Sequence, residues 1–143
     1  FGAPAKILNL TAAVEDMRVL YVCTGNSFRS PVAEALTRKY RPGLEVESAG
    51  THPADSIADN GKRMLEREGA RQYVKPSPDS LSQRAVDEAD RIVAMMPRHR
   101  DYLRRNFDTG GTEVEVWNVP DPVDSDVSPE DAFEQLRDRV TSS

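Results

Sequence analysis

The sequence of 143 residues (15.9 kDa) is long enough for one domain with a sizeable core. Acidic residues (24) outnumber lysine and arginine (19), and the net charge of −5 argues against a strongly basic surface for nucleic acid. No apolar run approaches the ~18 residues that a membrane-spanning helix needs. The one cysteine excludes an intramolecular disulfide and a multi-cysteine metal site, and these features together favour the cytoplasm.

Residues Phe1–Asp16 differ in pattern from the rest of the chain. They can be a vector remnant, a linker from a larger chain or, over Ala5–Val14, a short extra helix. The sequence does not decide among these alternatives. We therefore predict one functional domain over residues 17–143 and an N-terminal extension over residues 1–16.

From Met17 onward, strand and helix patterns alternate. Val19–Val22 is a short, nearly all-apolar run, which predicts a central parallel strand buried on both faces. Pro31 fits the first turn of a helix, and apolar residues recur at helical spacing up to Tyr40. Leu44–Ser48 alternates apolar and acidic residues, which predicts a second strand nearer an edge of the sheet.

The second half of the chain continues this alternation. Ala58–Glu68 predicts a helix that ends at Gly69, a residue typical of helix C-termini. The later predicted elements are a helix over Leu81–Ala89, a strand over Arg91–Met95, a helix over Arg98–Phe107, a strand over Val114–Val116 and a last helix that begins at Ser128-Pro129. The pattern predicts an α/β fold: a small doubly wound, four-stranded parallel sheet with helices on both faces.

One segment between the first strand and the first helix indicates chemistry: Val22-Cys23-Thr24-Gly25-Asn26-Ser27-Phe28-Arg29-Ser30-Pro31. A loop that turns into a helix N-terminus directs backbone N–H groups at one small space, which is a cradle for an anion. Gly25 and Asn26 tolerate the left-handed backbone conformations that such a cradle requires. The pattern is Cys-x5-Arg, and it matches neither GxxxxGK[ST] nor GxGxxG.

The spacing of Cys23 and Arg29 suits a nucleophile beside a phosphate site. Backbone N–H groups and the helix dipole favour the thiolate of a cysteine at the bottom of the cradle. Arg29 can hold two phosphate oxygens with its guanidinium fork, and the Ser30 hydroxyl can donate to the sulfur. An isolated cysteine at a strand end is ordinarily a small buried apolar residue. The surrounding residues favour the nucleophile instead.

This segment resembles the signature loop of the low-molecular-weight protein tyrosine phosphatase family, Val-Cys-x-Gly-Asn-x-Cys-Arg-Ser-Pro. Three further segments match the family in the same order: Ser48–Thr51 resembles the end of its second strand, Asp90–Met95 its third strand, and Pro120–Pro122 its Asp-Pro motif. The resemblance covers nearly the whole chain from Met17. It identifies residues 17–143 as a phosphatase domain.

The resemblance implies hydrolysis of phosphomonoesters on protein tyrosine through a cysteinyl-phosphate intermediate. Cys23 would attack phosphorus, and Arg29 would hold the phosphoryl oxygens. Asp121 would act first as the general acid and then as the general base. An Asp-Pro dipeptide alone is an ordinary turn feature. The resemblance ranks Asp121 ahead of Asp124 and Asp126.

The same resemblance implies that Asn26 and Ser30 support the catalytic residues. The phosphate-binding loop would comprise Thr24, Gly25, Asn26, Ser27, Phe28 and Arg29. No metal and no cofactor are implied. The expected partners are a phosphorylated protein substrate and inorganic phosphate or another oxyanion in the loop. We expect a monomer that binds neither nucleic acid nor membrane.

Two positions depart from the family pattern. Phe28 stands where the family has a second loop cysteine, so Cys23 lacks the neighbour with which it could form a protective disulfide. Val123 stands where many members have an aromatic residue beside the phosphotyrosine ring. Tyr73 is a candidate to take the place of that aromatic residue.

Three alternative functions follow from the same loop. Thr24 and the small hydroxyl residue Ser27 resemble the phosphoarginine-directed branch, whereas tyrosine-directed members tend to carry a bulky aliphatic residue in place of Ser27. A catalytically silent module that binds phosphate or phosphoproteins is another alternative, although the candidate nucleophile, arginine and acid are all present. An arsenate reductase would need a cysteine relay, and no cysteine follows Cys23.

The remaining polar residues receive no catalytic role. We expect His52 and His99 to be solvated, because neither has the spacing of a metal ligand. Arg98, Arg100, Arg104 and Arg105 are expected to form a solvated helix face. We expect Trp117 to pack in the core beneath the loop of Asp121.

Overall fold

The structure is a computed structural model that describes residues 17–142, and these residues contain a four-stranded parallel sheet. The strands are β1 (Arg18–Cys23), β2 (Glu45–Gly50), β3 (Arg91–Ala94) and β4 (Val114–Val116). Their order is β2-β1-β3-β4, and each neighbouring pair is parallel. The predicted fold class and the edge position of the second strand are confirmed. The predictions for Phe1–Asp16 lie outside the described residues.

Helices connect the strands and cover both faces of the sheet. They are α1 (Arg29–Tyr40), α2 (Asp59–Arg67), α3 (Gln83–Glu88), α4 (Pro97–Asn106) and α5 (Pro129–Ser142), with a 3₁₀ turn at Arg71–Tyr73. The predicted helices are confirmed with ends that differ by one or two residues. Over residues 17–142, none of these helices combines the length and the apolar character needed to cross a membrane.

The central strand β1 is buried on both faces because its side chains alternate between two core clusters. Val19, Tyr21 and Cys23 pack on the side of α1, α2 and α5, whereas Leu20 and Val22 pack on the side of α3 and α4. Each fully buried aliphatic side chain of this kind contributes roughly 1.5–3 kcal/mol. The strand that ends at Cys23 is therefore anchored from both sides.

Local chemistry explains two helix ends that the sequence predicts. Gly69 follows α2 with a left-handed φ of 73°, and the next N–H, of Ala70, donates to the carbonyl of Leu65. Before α5, the Ser128 hydroxyl accepts the N–H of Asp131, as expected for an N-cap.

The sheet order creates a crevice beyond the end of β1. The chain passes from β1 to β2 on one side, and β3 lies on the other side of β1. In open α/β sheets, ligands bind outside the carboxyl ends of the strands at such a reversal. The segment that follows Cys23 lies at this point.

Candidate active site

Cys23 is the last residue of β1, and only 2% of its surface is exposed. Residues 24–28 form the loop that follows, and α1 begins directly afterwards at Arg29. The unpaired N–H groups and the positive dipole end of α1 therefore lie next to the loop.

The carbonyl groups of this loop are bonded on its outer side by the segment that follows β2. Four bonds of 2.8–3.0 Å run from the N–H groups of Thr51, His52, Ala54 and Ala58 to the carbonyls of Cys23, Thr24, Gly25 and Ser27, respectively. In a trans peptide unit, the N–H points away from the C=O. The N–H groups that follow these carbonyls therefore point away from this segment, which is the orientation that an anion cradle requires.

Gly50, at the end of β2, permits the loop to lie this close to the sheet. A Cβ atom at this position would be 2.5 Å from the carbonyl oxygen of Thr24 and 3.0 Å from the backbone nitrogen of Asn26. Any side chain here would displace the loop backbone. The glycine in the Ser48–Thr51 segment is thus explained by close packing.

Asn26 is completely buried and has a left-handed φ of 49°. Its amide nitrogen donates to the hydroxyls of Ser30 (2.8 Å) and Ser48 (2.9 Å). Its amide oxygen accepts from the Lys75 ammonium (2.7 Å) and from the backbone N–H of Asp79 (2.8 Å). Because both amide hydrogens and both oxygen lone pairs are used, the side chain has one orientation and fixes the shape of the loop.

The hydroxyl of Ser30 lies 2.9 Å from Sγ of Cys23, and both side chains are buried. Ser30 Oγ already accepts a hydrogen bond from Asn26. Its own hydrogen is therefore available to donate to the sulfur. This direction of donation stabilises a thiolate.

Arg29 is 3% exposed and has one short contact and two longer ones. Its Nη1 donates to the carbonyl of Val119 at 3.0 Å. Its Nη2 lies 3.5 Å from both Thr24 Oγ1 and Asp121 Oδ2. Burial lowers the pKa of Arg29 from its usual value, and the negative charges of Cys23 and Asp121 oppose that shift. A buried cation in this position is suited to an anionic ligand.

Asp121 lies in the turn that follows β4, with 22% of its side chain exposed. Its Oδ1 accepts the N–H of Val123 at 2.9 Å, so the turn itself holds one carboxylate oxygen. The other oxygen lies towards Arg29. Asp124 and Asp126, the other two candidate acids, are exposed and do not line the adjacent cavity.

A small cavity of about 180 Å³ brings the candidate residues together. It is smaller than the roughly 300–1,000 Å³ of a site for a drug-sized ligand, and it suits a phosphoryl group. Its lining comprises Cys23, Gly25, Ser27, Phe28, Arg29, Ala58, Asn60, Asp121, Pro122 and Val123. Thr24, Asn26 and Ser30 lie outside this lining and hold the loop through the hydrogen bonds described above.

The walls of the cavity are largely apolar. Phe28 packs against the core and lines the cavity, so it supplies an aromatic wall that the sequence did not assign to it. Val123, which follows the Asp-Pro motif, also lines the cavity and is 88% exposed. Tyr73, the candidate substitute, lies in the 3₁₀ turn outside this lining.

Comparison with known proteins gives the family of the chain. The family described as low molecular weight phosphotyrosine protein phosphatase matches residues 18–143. The chain belongs to this family. The family assignment made from the Cys-x5-Arg loop is therefore confirmed, and relatives in the family are named as phosphatases, which are hydrolases.

Two curated relatives and one solved structure illustrate the similarity to other low molecular weight phosphatases. The protein-arginine-phosphatase of Geobacillus stearothermophilus is 37% identical over 63% of this chain and 62% of its own length. The low molecular weight protein-tyrosine-phosphatase Etp of Escherichia coli K12 is 32% identical over 82% of this chain and 83% of its own length. Vibrio vulnificus Wzb, solved in complex with benzylphosphonate, has a TM-score of 0.77 at 19% identity, covering 88% of this chain and 95% of that chain.

The prediction that His99 is solvated is wrong. Its imidazole is 1% exposed, and its Nε2 lies 2.8 Å from Thr24 Oγ1. The neighbouring arginines suggested a solvated helix, but residues three or four apart share a helix face, and His99 shares the inward face with Leu103. The prediction for the other histidine is confirmed, because His52 is exposed.

The other predictions for polar and aromatic residues agree with the structure. Trp117 is 4% exposed and lies in the core, with its ring centroid 5.2 Å from that of Tyr21. On α4, Arg98, Arg104 and Arg105 are exposed, whereas Arg100 is half-buried.

Sequence reasoning missed Lys75. Its side chain is 9% exposed, and its ammonium donates to Asn26 and to the carbonyl of Ser48 (2.8 Å) and pairs with Asp79 at 2.7 Å. No motif surrounds this lysine in the sequence. Its position under the loop arises only when the segment after α2 returns to the end of β2.

Proposed function

We propose that this low molecular weight phosphatase hydrolyses phosphotyrosine in phosphorylated proteins through a cysteinyl-phosphate on Cys23. The observation that carries the proposal is the convergence of a buried thiol, a buried guanidinium and a carboxyl group on one cavity of phosphoryl size. The hydroxyl donor 2.9 Å from the sulfur supports the role of Cys23 as nucleophile. Membership of the family supports the class of reaction.

In the first step of this proposal, the Cys23 thiolate attacks phosphorus and an S–P bond forms. The bond between phosphorus and the tyrosine oxygen breaks, and the leaving oxygen takes a proton from the Asp121 carboxyl group. The products of this step are the dephosphorylated tyrosine and the cysteinyl-phosphate.

In the second step, the Asp121 carboxylate takes a proton from water as the water oxygen attacks phosphorus. The S–P bond breaks, and the thiolate and inorganic phosphate are released. Ser30 stabilises the departing sulfur by donating its hydrogen, a role that the hydrogen bond from Asn26 supports.

In both steps, the amide cradle and Arg29 hold the equatorial phosphoryl oxygens. These donors are fixed before the substrate arrives, because the loop carbonyls are bonded on the outer side and Arg29 is held by Val119. Preorganised donors of this kind stabilise charge without reorganisation during the reaction.

Phosphoarginine is the second candidate substrate. Ser27 lines the cavity with a small side chain, and its hydroxyl donates to the carbonyl of Ser56 at 2.8 Å. The arginine phosphatase of Geobacillus stearothermophilus is among the relatives of this chain. A direct comparison of kcat/KM for a phosphotyrosine peptide and a phosphoarginine peptide decides between these two substrates.

The test of the proposed function is hydrolysis of an aryl phosphate and a phosphotyrosine peptide at mildly acidic pH with a chelator present. We expect turnover by the wild type, loss of turnover in Cys23→Ser, and competitive inhibition by inorganic phosphate. If the folded, reduced wild type binds phosphate but hydrolyses neither phosphotyrosine nor phosphoarginine, the protein is a phosphate-binding module and the proposal is overturned.

We also propose that the protein acts as a cytoplasmic monomer. A reducing compartment would keep the single thiol in its nucleophilic form. Light scattering after size-exclusion chromatography, with and without phosphate, measures the oligomeric state.

A further inference from the structure

His99 is a buried imidazole that the proposed reaction does not use. It lies in the first turn of α4, where its Nδ1 accepts the backbone N–H of Met96 at 3.1 Å. A neutral imidazole has one accepting nitrogen and one N–H. With Nδ1 as the acceptor, Nε2 carries the hydrogen and donates it to Thr24 Oγ1 at 2.8 Å.

Thr24 links this imidazole to Arg29. The Thr24 hydroxyl oxygen accepts from His99, and Arg29 Nη2 lies 3.5 Å from the same atom. The other neighbour of Nη2 is Asp121, whose carboxyl group must serve the leaving oxygen in the proposed reaction. Of the two neighbours of Arg29 Nη2, only Thr24 lies in the loop, and only its hydroxyl has no second task in the proposed reaction.

We propose that His99 is a positioning residue of the phosphate-binding loop: it holds the Thr24 hydroxyl beside Arg29 and so keeps the guanidinium oriented for a phosphoryl group. The inference rests on the proposed function, because the orientation of Arg29 matters only if the loop binds phosphate. The contact also connects the loop after β1 to the helix after β3, on the neighbouring strand.

The electrostatic surroundings keep this imidazole in one form. Burial, and then the positive charges of Arg29 and Arg98, lower the pKa of His99 from 6.5 to about 3. The imidazole therefore stays neutral at the pH values at which phosphatases are assayed, and the hydrogen stays on Nε2. A protonated imidazole would have lost the acceptor for Met96.

Two substitutions, His99→Asn and His99→Gln, separate the proposed role from a purely structural role in which His99 only caps α4. Asparagine places its amide oxygen near the position of Nδ1, so His99→Asn keeps an acceptor for Met96 but does not reach Thr24. Glutamine places its amide nitrogen near the position of Nε2, so His99→Gln keeps a donor for Thr24. Thr24→Val removes the hydroxyl at similar volume, and Thr141→Val is the matched control at an exposed threonine of α5.

The experiment measures the dissociation constant of inorganic phosphate by NMR titration of backbone amides, together with kcat, KM and the melting temperature. We expect His99→Asn and Thr24→Val each to weaken phosphate binding about tenfold, the effect of losing one hydrogen bond of about 1.4 kcal/mol. The double variant should bind no more weakly than either single variant. His99→Gln and Thr141→Val should bind phosphate like the wild type.

Three results would overturn the inference. These are wild-type phosphate affinity in His99→Asn, additive effects in the double variant, or an imidazole hydrogen on Nδ1 in the ¹⁵N spectrum of His99. A wild type that binds phosphate without hydrolysing any ester contradicts the proposed function but leaves the binding comparison intact. A wild type that does not bind phosphate at all contradicts both.

Discussion

Lys75 Nζ donates to the amide oxygen of Asn26 at 2.7 Å, which places a buried cation directly beneath the phosphate-binding loop. From there, hydrogen bonds run from Asn26 to Ser30 and from Ser30 to the sulfur of Cys23. Each group in this series accepts a hydrogen bond from the group before it, so its own hydrogen is directed to the group after it. The lysine thereby fixes the direction of the whole series towards the nucleophile.

Lys75→Met should therefore weaken the hydrogen bond from Ser30 to the Cys23 sulfur and make that sulfur a poorer nucleophile. We expect kcat/KM for an aryl phosphate to fall about tenfold, and stability to fall by about 1–3 kcal/mol because the Asn26 oxygen loses a buried partner. The rate of Cys23 alkylation as a function of pH checks the first effect. Lys62→Met removes the same charge from α2 and is the control. An alkylation profile identical to that of the wild type would contradict the role given to Lys75.

Gly61 of α2 lies against the ring of Phe28, which lines the cavity. A Cβ atom on Gly61 would lie 3.1 Å from Cδ1 of the Phe28 ring, which is tighter than ordinary contact. Gly61→Ala should displace the ring and raise KM for an aryl phosphate about three- to tenfold, with a smaller change in kcat. A helix-propensity gain of up to ~1 kcal/mol offsets part of the steric cost in stability. In a Phe28→Ala background the same substitution should leave KM unchanged. An equal rise in KM in that background would show that the contact with the Phe28 ring is not the cause.

Oxidation of Cys23 should be difficult to reverse, because this chain has no second cysteine to trap the sulfenic acid as a disulfide. After a peroxide dose that abolishes activity, we expect incomplete recovery with dithiothreitol and sulfinic acid on Cys23 by mass spectrometry. Phe28→Cys introduces a neighbouring thiol in the loop and should restore most of the recovery. Complete recovery in the wild type would show that this loop protects its sulfur in another way.

Acid should destabilise the protein through His99. Its pKa is about 3 in the folded state and 6.5 for an exposed imidazole, so the unfolded chain binds one more proton between these pH values. The stabilisation is complete above pH 6.5 and is lost as pH falls towards 3, at about 1.4 kcal/mol per pH unit. Urea unfolding at several pH values measures how the free energy of unfolding changes with pH. The contribution from His99 should be absent in His99→Gln. A slope that is the same in both proteins would contradict the burial of a neutral imidazole.

The sequence was sufficient to predict the features that depend on local pattern. The apolar run at Val19–Val22, the loop chemistry from Cys23 to Arg29 and the cap at Ser128 all have short-range signals, and the fold positions them as expected. Asp121 required the family resemblance, because an Asp-Pro dipeptide is common in turns.

The residues that sequence reasoning missed depend on contacts between distant segments. The inward position of His99 depends on which face of α4 meets the loop, and two flanking arginines concealed it. Lys75 contacts Asn26 from 49 positions away, and Gly61 contacts Phe28 only after α2 packs beside α1. None of these contacts has a signal within one turn or one strand of the sequence.

The central claim is that Cys23 carries the phosphoryl group during turnover. Rapid acid quench of Asp121→Asn during hydrolysis of p-nitrophenyl phosphate, followed by peptide mass spectrometry, tests this claim most directly. The nitrophenolate leaves without needing a proton from Asp121, whereas loss of the general base should slow breakdown of the intermediate. We predict one phosphoryl group on the Cys23 peptide and none in Cys23→Ser. Turnover by Cys23→Ser would contradict the claim. So would an unmodified Cys23 peptide in the quenched Asp121→Asn reaction, if the wild type turns the same substrate over.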